Sequence, residues 1–210
     1  MRRTKEQAAE TGRQILNAAE RLFLERTYDA VSLEDIAAAA GVTRGAVHWH
    51  FRNKQGLLLA LRDRATGAFR QLADELADDV NGASLDRLGE LLCSMFAELH
   101  ADPRQKGLLR VMLPLDLSPP DPADDSDSRD RHDVQLAFTR IFEAAEKASG
   151  LPPPWTPATA ASMLCATVYG LIFEWALGRS RSDLVPDGQA FIRMVLSNWR
   201  AAVQPPDGVA

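Results

Sequence analysis

The sequence has little of what catalytic sites and disulfide-rich folds require. Its 210 residues include only two cysteines, Cys93 and Cys165, which lie in apolar surroundings without a C-x-x-C pair. We therefore expect two buried free thiols rather than a disulfide framework or a zinc site. The four histidines form no H-E-x-x-H pair, and the chain has no G-x-S-x-G motif and no glycine-rich phosphate loop. These absences predict no catalytic residues, no metal, no cofactor and no enzymatic activity.

Long apolar runs are also missing. The longest stretch without a charge, 148–173, contains four prolines, which leaves 158–173 as its continuous apolar part. That part is shorter than the roughly 20 residues that cross a bilayer, and the chain begins without the apolar core of a signal peptide. We expect a soluble, cytoplasmic protein that does not use a membrane.

What the chain does have is an ordinary globular composition with an uneven distribution of charge. Hydrophobic residues make up 46% of the sequence and charged residues 25%, and the net charge is −5. Residues 1–64 carry 11 Lys and Arg against 8 Asp and Glu, whereas residues 65–210 carry 13 against 21. A small basic part joined to a larger acidic one is compatible with local contact to phosphates, although solvated charge runs are common.

The hydrophobic periodicity is helical throughout, which predicts an all-α fold of about nine helices. The segment 10–26 has apolar residues at i, i+3, i+4, i+7 and i+8, beginning at Ile15. Later helices are predicted over 56–76, 85–100, 105–115, 131–149, 158–179 and 187–203. Ser84 and Thr156 are expected to cap two of them. Between the helices predicted over 105–115 and 131–149, residues 116–130 hold six aspartates and three prolines, and are expected to form a mobile acidic loop.

Two short helices near the start have the spacing of a helix-turn-helix. Ser32 followed by Asp35 predicts a capping box before a helix over 33–40, and Gly41 is a suitable terminator. Thr43 then caps a second helix over 44–50. A generic helical hairpin is the alternative, but it gives no use for an exposed Trp49. The expected small core consists of Leu33, Ile36, Ala37, Val42, Val47 and Phe51.

The segment SLEDIAAAAGVTRGAVHWHFRNK (residues 32–54), together with the ILNAAERLF motif beginning at Ile15, resembles the DNA-binding unit of the TetR/AcrR family of bacterial transcriptional regulators. The resemblance is strongest to the AcrR-like branch, whose members often repress multidrug efflux genes. It implies a helix-turn-helix DNA-binding domain over 1–64 and a helical ligand-binding and dimerisation domain over 65–210. His48 departs from the family, which usually has an aromatic residue, commonly Tyr, at that position.

The resemblance also implies which residues meet double-stranded operator DNA, with the second short helix entering the major groove. The implied DNA-binding residues are Ser32, Thr43, Arg44, Gly45, His48, Trp49, His50 and Lys54. Independent chemistry agrees, because helix N-termini attract phosphate and arginine suits guanine. Arg2, Arg3 and Lys5 form either an arm toward the minor groove or a charged end without a partner.

In the second part, the resemblance implies a homodimer and a pocket for a small hydrophobic or cationic effector. The candidate pocket residues are Phe96, Met112, Phe138, Phe142, Met163 and Thr167. The candidate dimer contacts, on two helices that are apolar over wide arcs, are Val168, Ile172, Trp175, Phe191, Val195 and Trp199. Ordinary core packing is the alternative for each of these residues. Glu174 is expected to pair across the dimer, to pair with Arg179, or to meet a cationic ligand.

Together these observations favour a ligand-responsive repressor that is released from a palindromic operator. The rival interpretation is a helical enzyme or ligand-binding protein in which the helix-turn-helix is incidental. No spacing of nucleophile, base and orienting residue supports that rival.

Overall fold

The computed structural model describes residues 5–78, 85–117 and 126–201, and gives only the backbone for 113–117, 126–132 and 200–201. All regular secondary structure in these ranges is helical, as predicted. The helices are α1 (Lys5–Glu25), α2 (Leu33–Ala40), α3 (Arg44–Phe51), α4 (Lys54–Asp78), α5 (Leu85–Ala101), α6 (Pro103–Leu117), α7 (Ser126–Ser149), α8 (Pro157–Leu177) and α9 (Gln189–Ala201).

The caps of the helix-turn-helix form as the sequence predicts. The Ser32 hydroxyl accepts from Asp35 N–H at 3.1 Å, while the Asp35 carboxylate accepts from Ser32 N–H at 2.9 Å. The hydrogen bonds from the Ser32 hydroxyl and backbone lower the pKa of Asp35. Gly41 ends α2 at φ 67°, a left-handed conformation that glycine adopts without steric cost. Thr43 Oγ1 accepts from Ala46 N–H at 3.2 Å and begins α3.

The chain divides into two compact units, and α4 runs from one into the other. The first takes the described residues up to Thr66 and the α6 segment from Arg104. Gly107 of α6 lies close to Leu24 of α1: a Cβ at Gly107 would lie 2.6 Å from Leu24 Cδ2, so the leucine side chain would have to shift. The core of this unit confirms the expected burial of Ile36, Ala37 and Val47. Its remaining buried residues are Ile15, Ala19, Leu22, Phe23, Val31, Leu57, Leu58, Leu61, Leu108 and Met112.

The second unit contains Gly67–Pro103 and the described residues from 126 onward. In it α7 packs along α8, while α5 packs along α9 and the irregular helical turn at Leu184–Gly188. Arg140 on α7 donates to Asp74 at 2.6 Å and to Asp78 at 2.7 Å, both near the end of α4. Cys93 and Cys165 are free and buried, as expected. Burial raises the pKa of Cys165 to about 11, so its thiol stays protonated at neutral pH.

The structure corrects three expectations about the extent of elements. The acidic loop predicted over 116–130 is shorter, because α6 continues to Leu117 and α7 begins at Ser126; residues 118–125 and the expected cap Ser84 lie outside the described residues. The first helix begins at Lys5 rather than residue 10, since 5–9 contains good helix formers. The last begins at Gln189, because the turn at 184–188 precedes it.

The expectation about membrane-spanning length also changes. The sequence estimate ended at Phe173, next to a charge, but α8 continues to Leu177 and is long and apolar enough by composition to cross a bilayer. One such helix is weak evidence for a span, because buried core helices meet the same criterion. Only 39% of its most apolar window is buried, which leaves an unusually apolar helix with an uncovered face.

Candidate nucleic-acid interface

Helix α3 exposes one continuous face. Arg44, Gly45, His48 and Trp49 occupy positions i, i+1, i+4 and i+5, and all four are exposed, whereas Val47 on the opposite side is fully buried. Trp49 is 72% exposed, the largest value among the exposed large hydrophobic side chains. The structure therefore brings four of the eight predicted DNA-binding residues onto a single surface.

The N-terminus of α3 lies at one end of this face. Its first-turn N–H groups carry partial positive charge, and Thr43 caps it through its oxygen, so the hydroxyl hydrogen is not consumed by the cap. A Cβ added at Gly45 would meet only Thr43 Oγ1, at 3.8 Å. Nothing inside the described chain therefore requires glycine here, although glycine weakens a helix. A close approach from outside the chain would explain it.

Arg44 does not project alone from this face. Its Nη1 lies 2.7 Å from Glu34 Oε1 on the first turn of α2. The two side chains are 68% and 56% exposed, and exposed pairs of this kind contribute only about 0–1 kcal/mol to stability. The contact places Nη1 beside the carboxylate of Glu34, and the guanidinium has further N–H donors on Nε and Nη2.

The two histidines have different surroundings. His48 Nδ1 lies 2.6 Å from the carbonyl oxygen of Arg52, the residue that ends α3 at φ 59°. Because a carbonyl can only accept, Nδ1 carries the proton and Nε2 is the ring nitrogen left for another partner. His50 is half-buried, and its Nδ1 would lie 3.4 Å from a Cβ added at Gly12 of α1. The structure therefore places His50 beside α1, with its ring also in edge-on contact with Trp49 at 4.6 Å between ring centres.

Ser32 and Lys54 line a shallow groove of about 560 Å³ between residues 28–33 and the start of α4. Lys54 Nζ donates to the carbonyl of Tyr28 at 2.9 Å and lies 4.3 Å from the centre of its ring. Tyr28 is a site residue that the sequence reasoning missed, because its link to Lys54 joins residues 26 positions apart. The Ser32 hydroxyl donates to Asp35 at 2.6 Å, so its hydrogen is used within the capping box.

The predicted pocket residues differ in burial and belong to different units. Met112 lies in the core of the first unit, whereas Phe96, Phe138 and Phe142 are fully buried in the second. Met163 is 51% exposed on α8. Thr167 lines a groove of about 360 Å³ along α8. Their role in ligand binding stays a prediction.

The predicted dimer residues are mostly inside the second unit. Val168, Ile172, Trp175 and Trp199 are buried, Val195 is half-buried, and Phe191 is exposed. Trp175 donates to Asp183 at 3.0 Å and Trp199 packs edge-on against Phe142, which explains their burial. The pairing of Glu174 with Arg179 is not observed among the described side chains, and Glu174 is exposed in the groove along α8.

Of the residues that α8 and α9 leave uncovered, the sequence had suggested a dimer role only for Phe191 and Glu174. On α8 these are Ala158, Thr159, Ser162, Met163, Ala166, Gly170 and Glu174, and on α9 they include Phe191 and Met194. The four-residue spacing of Ala158, Ser162, Ala166 and Gly170 was available as a signal, because it places small residues on one helix face.

Comparison with known proteins agrees with this geometry. Residues 15–61 match the family described as bacterial regulatory proteins, tetR family. The chain is 32% identical to the HTH-type transcriptional repressor BepR of Brucella suis, over 98% of this chain and all of that protein. It is 35% identical to the regulator TtgR of Pseudomonas putida, over 91% and 92% of the two chains.

A solved structure of SmeT, the repressor of a Stenotrophomonas maltophilia multidrug efflux pump, superimposes with a TM-score of 0.77 at 30% identity, over 95% of each chain. These relatives support the regulator and not the rival of a helical enzyme or ligand-binding protein. The chain belongs to the TetR family of bacterial regulatory proteins and is a helix-turn-helix transcriptional regulator, not an enzyme.

Proposed function

We propose that this protein is a homodimeric repressor that binds a palindromic operator by placing α3 of each copy in the major groove. The exposed face of α3 carries the proposal: a capped helix N-terminus, Arg44, the glycine at 45 and a largely exposed Trp49 form one surface. Arg44 is suited to a base edge, while Thr43, His48 and Trp49 are suited to phosphates or their surroundings. Lys54 extends the phosphate contacts, and Ser32 would join them by turning its hydroxyl hydrogen from Asp35 to a phosphate.

Dimerisation is supported by the uncovered face of α8 and α9. Small residues recur at Ala158, Ser162, Ala166 and Gly170, so a second helix can approach closely. Met163, Phe191 and Met194, each 41–51% exposed, provide apolar area that a partner would remove from water. Two copies related by a two-fold axis would present two α3 helices to successive major grooves, which matches a palindromic operator.

The proposed signal is a small apolar or cationic effector that favours a dimer unable to fit the operator. Relatives support this class, since SmeT represses a multidrug efflux pump and its structure with triclosan aligns with this chain at a TM-score of 0.76 and 29% identity. Control of a multidrug efflux operon is the corresponding biological role. The protein would act in the cytoplasm, where its operator is accessible.

The test is fluorescence anisotropy with the DNA upstream of the protein's own gene and with a scrambled duplex of equal length. We expect nanomolar binding to the upstream DNA, a specificity ratio of at least about 1,000, and weakening by triclosan. By linkage, the operator should weaken triclosan binding by the same factor, typically about 5- to 150-fold. Equal affinity for both duplexes would overturn the repressor, and an unchanged triclosan affinity on the operator complex would overturn its proposed release by triclosan.

A further inference from the structure

The face proposed to meet DNA contains an acid whose position needs an explanation. Glu34 lies on the first turn of α2, is exposed, and contacts Arg44 at 2.7 Å. Asp35 beside it is engaged by Ser32 in the capping box, so its carboxylate has a local structural use. An exposed carboxylate close to a DNA surface opposes binding, because it repels phosphates.

We propose that Glu34 is a positioning residue that sets sequence specificity by holding Arg44 in the orientation that reads a base edge. The inference rests on the proposed function, since it assumes that α3 faces the major groove. It goes beyond that function because it gives an acidic side chain on α2 control over how strongly the protein prefers its operator to other DNA.

The geometry provides the reason. Glu34 occupies Nη1 of Arg44, which leaves the edge formed by Nε and Nη2 for a bidentate contact. Guanine presents two acceptors, O6 and N7, in the major groove, and this edge matches their separation. On operator DNA, Arg44 can therefore keep its ion pair with Glu34 while it reads a guanine.

Non-specific DNA offers Arg44 no correctly placed guanine, so the guanidinium would turn to a phosphate instead. That movement breaks the contact with Glu34 and brings a phosphate toward an exposed carboxylate. Glu34 therefore disfavours the non-specific complex more than the specific one. Its effect should appear in the ratio of the two affinities rather than in operator affinity alone.

The test measures operator and scrambled-duplex affinities for Glu34→Gln, which keeps the side-chain size and removes the charge. We expect scrambled-duplex affinity to rise about tenfold, operator affinity to change less than threefold, and the specificity ratio to fall accordingly. Glu10→Gln is the matched control, since Glu10 forms an exposed pair with Arg13 on α1 and loses the same charge. Glu10→Gln should leave the specificity ratio unchanged. Glu34→Asp, which keeps the charge on a shorter side chain, should give a ratio between those of Glu34→Gln and the wild-type protein.

The same substitution in an Arg44→Ala background separates positioning from general charge. If Glu34 acts through Arg44, Glu34→Gln should no longer alter the ratio there. An unchanged ratio in the single variant, or an equal effect with and without Arg44, overturns the inference while leaving the DNA interface intact. If Arg44→Ala itself has no effect on operator binding, the proposed interface fails as well.

Discussion

The exposed faces of α3 and α8 share one feature and differ in everything around it. Each has a helical glycine, Gly45 or Gly170, at which the described chain leaves room for a Cβ. Around Gly45 lie Arg44, a histidine and an exposed tryptophan, whereas Gly170 follows a row of small residues beside exposed methionines. Our proposal places a close approach from outside at both glycines, by DNA at Gly45 and by a second copy at Gly170.

The surrounding chemistry then indicates what approaches. Cationic and polar groups at a helix N-terminus suit a phosphate backbone and base edges. Small and apolar groups suit another helix, because they allow backbones to come close and gain from burial. A glycine without an internal packing reason is thus informative only together with its neighbours, and substitutions at the two positions should have opposite consequences.

The largest effect is expected from Gly170→Leu. Its side chain has space in a single copy but would overpack a closely packed α8 interface, at a cost of about 1–3 kcal/mol. The dimer dissociation constant should rise roughly 5- to 150-fold, measured by sedimentation equilibrium. Ala97→Leu, at an exposed position on α5, is the control and should leave it unchanged. Normal dimerisation of the Gly170→Leu protein would show that α8 is not part of the dimer interface.

Gly45→Ala should weaken operator binding and leave the dimer dissociation constant unchanged. Alanine is the better helix former, so the free energy of unfolding should stay the same or rise by up to about 1 kcal/mol. Operator affinity should fall about tenfold, since a methyl group in a closed contact costs about 1–3 kcal/mol. Thermal denaturation would measure the free energy of unfolding, anisotropy the operator affinity and sedimentation the dimer dissociation constant, all on one preparation. Full operator affinity would show that DNA does not approach this position closely.

Lys54→Met should have a smaller and less selective effect. Methionine keeps an apolar stem against Tyr28 but removes the charge. Operator and scrambled DNA should lose affinity by similar factors, and the slope of log affinity against log salt should decrease by about one unit for each Lys54 in the complex. Lys147→Met on α7 is the control for net charge. A loss confined to the operator would mean that Lys54 reads sequence instead.

The smallest effect concerns pH. Since Nδ1 of His48 donates to Arg52, neutral Nε2 is an acceptor, and only protonation makes it a donor to phosphate. Operator affinity should therefore rise as the pH is lowered, because an imidazolium ring can donate to phosphate. His48→Tyr should flatten this profile, whereas His50→Gln, which alters the half-buried ring near α1, should leave it. A pH profile that is flattened by His50→Gln and kept by His48→Tyr would assign the pH dependence to His50.

The sequence predicted the elements that depend on local chemistry. The α2 and α3 boundaries followed from Ser32, Gly41 and Thr43, because caps are encoded within four residues of each other. It could not predict that α6 packs in the first unit, since that depends on Leu108 and Met112 joining a core formed by residues far away in the sequence. Nor could hydrophobic periodicity separate buried from exposed positions on α8, because its apolar residues lie on most of its sides; the four-residue spacing of small residues was the usable signal.

The Lys54–Tyr28 and Arg44–Glu34 contacts were beyond sequence reasoning for a related reason. Each joins side chains from different elements whose relative position is set by packing of the first unit. The residue types on α3 indicated a DNA-facing surface, but neither the caps nor the periodicity identifies an ion-pair partner on another helix.

Methylation interference on the upstream DNA tests the central claim, that the exposed face of α3 reads bases in the major groove. Methylation of guanine N7 removes one of the two acceptors that Arg44 would use. We predict that methylation of one guanine in each half-site blocks binding of the wild-type protein, and that Arg44→Ala, although weaker, becomes insensitive to those same guanines. Identical interference patterns for the two proteins would contradict the account.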